Sequence, residues 1–204
     1  MKPIMKLTRL NIAILAIISF AVPAWAIDAE TPKRCTVCHS ASFQGLQPAP
    51  RLAGQRYQYL FNQLSDLGLH RRNDPNAKLY MWPVVATVNP QTARELALYL
   101  STIPPRAAED GDAELVASGR KIYQEGMPEA NVVACVACHG PNAEGVGEIP
   151  RLGGLAYPYL RRRLEQWGQQ GGYNETTRPP MPHIASNLSL KQIEALASYL
   201  SFVK

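Results

Sequence analysis

All four cysteines of this 204-residue chain fall in two copies of one pattern, "CTVCH" at 35–39 and "CVACH" at 135–139. Thiols two residues apart can bridge to each other, hold a metal or add to an electrophile. A bridge inside either pair would close a tiny loop, and nothing else in the chain reads as a disulfide scaffold. Paired CxxC zinc sites stand about 15–20 residues apart, far closer than Cys38 and Cys135. A thioredoxin-like CxxC sits near a βαβ pattern, and no alternating strand pattern is visible. Neither alternative calls for a histidine after both pairs. CxxCH is the attachment pattern for c-type haem. The two sulfurs form thioethers with the vinyl groups, and the following histidine lies under the iron as its proximal ligand. Cys35, Cys38, Cys135 and Cys138 are therefore expected to anchor two covalent haem groups, with His39 and His139 on the irons.

The repeat extends well beyond the motif. At a constant offset of 100, "PRLAG" at 50–54 matches "PRLGG" at 150–154. Tyr57, Tyr59, Leu60 and Leu64 match Tyr157, Tyr159, Leu160 and Leu164. Leu96, Ala97, Tyr99, Leu100 and Ser101 match Leu196, Ala197, Tyr199, Leu200 and Ser201. Such self-similarity marks a duplicated unit. Met81 and Met181 stand at the same distance, 42 residues, past His39 and His139, each with proline close by. A methionine is often a core gap-filler. Its repetition here points to the second axial ligand of each iron. His70 and His183 are rival ligands without a counterpart in the other copy, and Lys78 is a remoter one in the first; Met127 has no counterpart and is left out of the ligand set. Pro50 and Pro150 could orient the proximal histidines through a carbonyl or simply turn the chain. Arg51, Arg151, Tyr57, Tyr59, Tyr157 and Tyr159 could meet haem propionates, or serve as surface charge and core aromatics.

The elements that must position these residues are helical. Tyr57, Leu60, Phe61, Leu64 and Leu67 recur at three- and four-residue spacings, as do Tyr157, Leu160, Leu164 and Trp167. Each copy ends in another amphipathic helix. Asn89 and Pro90 suit the start of the first, and Ser189 with Gln192 forms a capping box for the second. The fold class is all-α. Lys2, Lys6 and Arg9, then "LNIAILAIISFAV" and "PAWA", read as a secretory signal peptide over 1–26. The units then run 27–103 and 113–204, joined by a Pro-stiffened polar linker at 104–112.

The formal charge of +5 loses three basic residues with the leader and no acidic ones, leaving 18 against 16, a net +2. That balance excludes a nucleic-acid footprint. Arg161-Arg162-Arg163 reads as a solvated helix face. No segment after the leader can span a membrane, although a membrane surface remains a place of association.

With CxxCH twice, the paired methionines, "PRLAGQRYQYLFNQL", "PRLGGLAYPYL" and "MPHIASNLSLKQIEALASYLS", the chain resembles the dihaem cytochrome c4 family over nearly all of residues 27–204. The resemblance implies two tandem class I cytochrome c domains with two His/Met haems whose propionate sides lie near each other. It implies a periplasmic electron carrier without catalytic residues, passing electrons from respiratory donors to a terminal oxidase or another acceptor. Two other roles compete: a cytochrome subunit of a dehydrogenase, such as a flavin-dependent sulfide dehydrogenase, and a dihaem oxidoreductase such as a thiosulfate dehydrogenase or a peroxidase. The chain departs from the pattern at one place. "DAELVASGRKIYQEG" supplies the opening helix of the second domain, but only "IDAETPKR" precedes Cys35. The first domain's terminal helix is then left to be covered by the linker or a partner, or the first domain is the less stable one.

Overall fold

A computed structural model describes residues 30–169 and 180–204. The leader at 1–26 lies outside the described residues. In the first half, α1 (Glu30–His39) runs straight into the CxxCH motif. It is followed by α2 (Tyr57–Gly68), a π-helical turn over Ala77–Met81, the short α3 (Trp82–Val85) and α4 (Pro90–Thr102). The second half has α5 (Val116–Glu125), α6 (Val136–His139), α7 (Tyr157–Gly168), α8 (Met181–Ala185) and α9 (Leu190–Phe202). Among the described residues no strand forms; the loops hold only isolated bridges such as Val146 with Ile149.

Both expected caps are present. Asn89 accepts from Thr92 N at 2.9 Å, with Pro90 opening α4. Ser189 N donates to Gln192 Oε1 at 2.7 Å, and Gln192 N donates back to Ser189 Oγ. These bonds satisfy amides that a helix start leaves without partners.

The helical spacings become packing. Leu60 of α2 and Ala97 and Leu100 of α4 close a core with Phe43 and Ala53, while Leu67, Ala77 and Val85 form a second cluster against Leu64, Met81 and Trp82. In the second half a single cluster joins Tyr123, Leu160, Leu164, Ile193, Leu196 and Leu200. The difference lies in α5, which crosses α9 so closely that a Cβ on Gly119 would sit 1.9 Å from Ala195 O. Tyr123 is fully buried there. Its hydroxyl donates to Gly140 O at 2.6 Å, tying α5 to the segment just after His139.

No such helix covers α4 among the described residues. Leu98 is 58% exposed and Tyr99 41% exposed, the latter meeting Phe43 edge-on at 5.9 Å. The linker runs elsewhere. Gln44 brackets it by donating to Pro104 O at 3.0 Å and accepting from Arg106 N at 2.9 Å. Pro105 lies against Gly54, where a Cβ would come within 2.6 Å of it. Farther on, Glu109, Gly111 and Asp112 donate from their amides to Ser201 O, Ser201 Oγ and Ser198 Oγ. The linker is thus bonded to both halves, and the outer face of α4 keeps its exposed Leu98 and Tyr99.

Candidate haem sites and the seam between them

In α1 the residues Cys35, Cys38 and His39 occupy positions i, i+3 and i+4, which place both sulfurs and the imidazole on one helical face. Cys135, Cys138 and His139 repeat this around α6, with Cys135 as its N-cap. Burial pushes the Cys35 thiol up and the Cys135 thiol up to about 11, so neither is an activated thiolate.

A loop folds back over each histidine. Gly45 N donates to His39 O at 3.0 Å, and Gly145 N to His139 O at 2.8 Å. Gly45 has φ +93°, and a Cβ there would lie 2.8 Å from Arg51 N, so the return needs glycine. The turn sets Pro50 O at 2.8 Å from His39 Nδ1 and Pro150 O at 3.1 Å from His139 Nδ1. A carbonyl only accepts, so Nδ1 carries the proton and Nε2 keeps its lone pair for a metal. Burial holds both imidazoles below their usual range, against a smaller opposite pull from the proline carbonyls.

In the second half a cavity of about 410 Å³ is lined by Cys135, Cys138 and His139, and also by Met181, Leu164 and Trp167. Met81 is half-buried at the end of the π turn and packs against the cluster of Leu67, Ala77 and Val85. The rivals are placed differently. His183 and Lys78 are exposed. His70 is exposed and stacks on Trp82, with centroids 3.8 Å apart. Met127 Sδ accepts from Gln192 Nε2.

Four first-half residues, Tyr59, Asn62, Gln63 and Asp66, line the second-half cavity. Tyr59 therefore faces the other half's site. Tyr159 answers it in a smaller seam cavity with Pro48, Arg51 and Arg162. Tyr57 is partly exposed, and Tyr157 packs on the second core. Only Tyr59 of this α2 group carried any mark in the sequence, because the other three are set by docking of the halves.

The arginines make that docking. Arg51 is 5% exposed and donates to Arg106 O (2.6 Å), Gly154 O (2.8 Å) and Gly153 O (2.6 Å). Gln55 donates to Arg151 O at 2.9 Å and accepts from Arg151 N at 2.7 Å. Arg56 and Arg162 donate to Glu144 O and Pro48 O. The reading of Arg161-Arg162-Arg163 as a solvated face fails at Arg163, which is 6% exposed and pairs with Asp74 across the seam at 3.1 Å. Contact with a carboxylate from the other half, invisible in α7's own sequence, decides its burial.

The buried donors also test whether haem fits. Arg51 Nε, Arg151 Nε and Trp167 Nε1 are buried without a hydrogen-bond partner. Burial, with Arg151 as a second like charge, pushes the Arg51 guanidinium down to about 10. A buried cation with idle donors calls for anions, and propionates are anions of that kind. A histidine with a free Nε2, a methionine lining the same cavity and two nearby thiols fit the rest of the group.

An all-α chain with two such sites is a c-type cytochrome built from tandem class I domains. The cytochrome c family profile matches residues 116–204. Cytochrome c4 of Thiocapsa roseopersicina is 33% identical over 178 residues, covering 85% of this chain and 88% of the relative. The thiosulfate dehydrogenase electron acceptor of Stutzerimonas stutzeri is 34% identical over 174 residues, covering 83% and 78%. The solved structure of Acidithiobacillus ferrooxidans cytochrome c4 is similar with a TM-score of 0.77 and 32% identity, covering 83% of this chain and 99% of that one. The chain belongs to the dihaem cytochrome c4 family, and its cofactors are covalently bound haem c. No helix among the described residues is long and apolar enough to cross a membrane.

Proposed function

We propose that the chain is a periplasmic two-haem electron relay, with domains at 27–103 and 113–204 joined through 104–112 after removal of the leader at 1–26. Cys35 and Cys38 hold one haem and Cys135 and Cys138 the other. His39 with Met81, and His139 with Met181, would ligate the two irons. Haem with this ligand pair supplies a one-electron Fe(III)/Fe(II) couple of raised potential. The protein's part would be to hold one histidine and one methionine ready for each iron. Pro50 O and Pro150 O hold the imidazoles in one tautomer and orientation, and half-buried Met81 and Met181 would occupy the place that water or oxygen could otherwise take on each iron. Arg51, Arg151 and Trp167 receive the propionates with donors that are otherwise unused. Tyr59 and Tyr159 line the cavities at the seam between the two halves.

One observation carries this reading: the same histidine-to-proline-carbonyl bond occurs in both halves, each with a half-buried methionine at the same offset. A redox-titrated optical spectrum tests it. Met81→Ala and Met181→Ala should each remove part of the far-red methionine-to-iron band and lower one midpoint potential. Full band strength in both variants refutes the ligand assignment. Carbon monoxide binding by the native reduced protein would instead support the oxidoreductase role.

The Stutzerimonas stutzeri relative, by its name an acceptor for thiosulfate dehydrogenase, favours a sulfur-oxidising enzyme as the donor, with a terminal oxidase or other acceptor downstream. Reduction of the purified protein by a thiosulfate dehydrogenase plus thiosulfate, faster than by thiosulfate alone, is the expected result. Equal rates argue for a different donor.

A further inference from the structure

Asp74 lies between α2 and the π turn that ends on Met81, and it is 2% exposed. Its Oδ1 accepts from Ala77 N at 3.1 Å, and its backbone carbonyl accepts from Lys78 N at 3.0 Å. Asp74 therefore caps the arm that presents Met81. Its Oδ2 holds two cations, Arg72 Nε at 2.9 Å from its own domain and Arg163 Nη1 at 3.1 Å from α7 of the other. Arg163 also donates to Gln166 Oε1, and its guanidinium stands 4.8 Å from the Trp167 ring centre. Trp167 and Met181 line the second cavity together. One unbroken run of contacts thus joins the Met81 arm to the wall of the other haem site.

Such a run transmits because it cannot yield at one point. If the arm moves away from α7, Asp74 loses a partner while staying buried, and Arg163 becomes a buried cation without its anion. Both outcomes are strongly unfavourable where water is excluded. The low-cost motion carries arm and α7 together.

We propose that Asp74 and Arg163 are positioning residues that couple the Met81 arm of the first haem site to the α7 wall of the second, so that a change at one site alters ligand placement at the other. The proposal rests on Met81 being the first domain's iron ligand. It assigns a role to a seam contact that a merely adhesive interface would not need.

The test uses the reduced holoprotein with ¹³C-methyl-labelled methionine, observed by NMR. Met81→Ala must delete one of the two haem-shifted methyl signals. If both signals survive, the ligand reading fails and takes the coupling with it. With that signal assigned, Arg163→Gln is expected to shift or broaden the Met81 methyl resonance from across the seam and to move the first haem's midpoint potential. Arg163→Lys should restore both in part. Arg161→Gln removes the same charge from a residue paired, among the described residues, to Glu165 and Glu194 of its own domain, and should leave the Met81 signal in place. An unchanged Met81 signal in Arg163→Gln overturns the proposal, and so does an equal shift in Arg161→Gln. Should Arg163→Gln not fold, Asp74→Asn is read in the opposite direction, at the Trp167 indole and the Met181 methyl. Wild-type positions for both signals overturn the proposal equally.

Discussion

Substituting Gly119 by alanine isolates the helix crossing on which the second domain depends. A Cβ at this position would lie 1.9 Å from Ala195 O and 2.5 Å from Ala195 C. Both are backbone atoms of α9 and cannot rotate away. Alanine gains about 1 kcal/mol of helix propensity over glycine. Overpacking costs about 1–3 kcal/mol, and a clash with backbone belongs at the upper end. Relief requires α5 to withdraw from α9, which also pulls on the 2.6 Å bond from the Tyr123 hydroxyl to Gly140 O. The balance is a loss of about 2 kcal/mol, confined to the second domain. For a domain of this size that lowers Tm by roughly 8–16 °C, at about 4–8 °C per kcal/mol. Thermal unfolding of the holoprotein, followed in the haem absorbance, should show the second domain's transition lowered and the first domain's unmoved. A Gly119→Ala protein that melts like wild type would falsify the close crossing.

Three further outcomes follow from the same contacts. In the wild type, the first haem environment should melt before the second, because α4 lacks the cover that α5 gives α9; the reverse order in a two-site melt removes that reasoning. Arg51→Met deletes three charge-assisted bonds to Arg106, Gly153 and Gly154 carbonyls, each worth about 1.5–3 kcal/mol less the desolvation recovered. The seam should loosen by about 3 kcal/mol, seen as faster proteolysis within 104–112 and a larger scattering radius. Burial pushes the Asp74 carboxyl up, but Arg72, Arg163 and the Ala77 amide acting together hold it below the ordinary carboxylate range. A depressed folded-state pKa adds stability above the unfolded value of about 3.8 and loses it as pH falls through the folded value. The stability gap between wild type and Asp74→Asn should therefore be full near neutrality and shrink below about pH 4; a gap independent of pH contradicts the pairing.

What the sequence determined by itself is what depends on neighbours along the chain. CxxCH places two sulfurs and an imidazole on one face because a helix repeats every three to four residues, and the same rule exposed the stripes of α2, α4, α7 and α9. The caps at Asn89 and Ser189 reach three residues ahead. The duplication was legible because both halves keep one spacing, and the missing cover of α4 was legible because one half departs from it. Residues whose partners lie about a hundred positions away were legible only as types. Arg51, Gln55 and Arg56 bond to residues 88–103 positions distant, and no local period encodes such a pairing. Arg163 looks like one more charge on a basic helix until Asp74 arrives from the other domain. Tyr59 carries a repeat's signature, yet only docking directs it to the opposite cavity. Chain-local geometry set the two CxxCH sites, and the tertiary structure decided that the two halves dock through buried arginines such as Arg51 and Arg163.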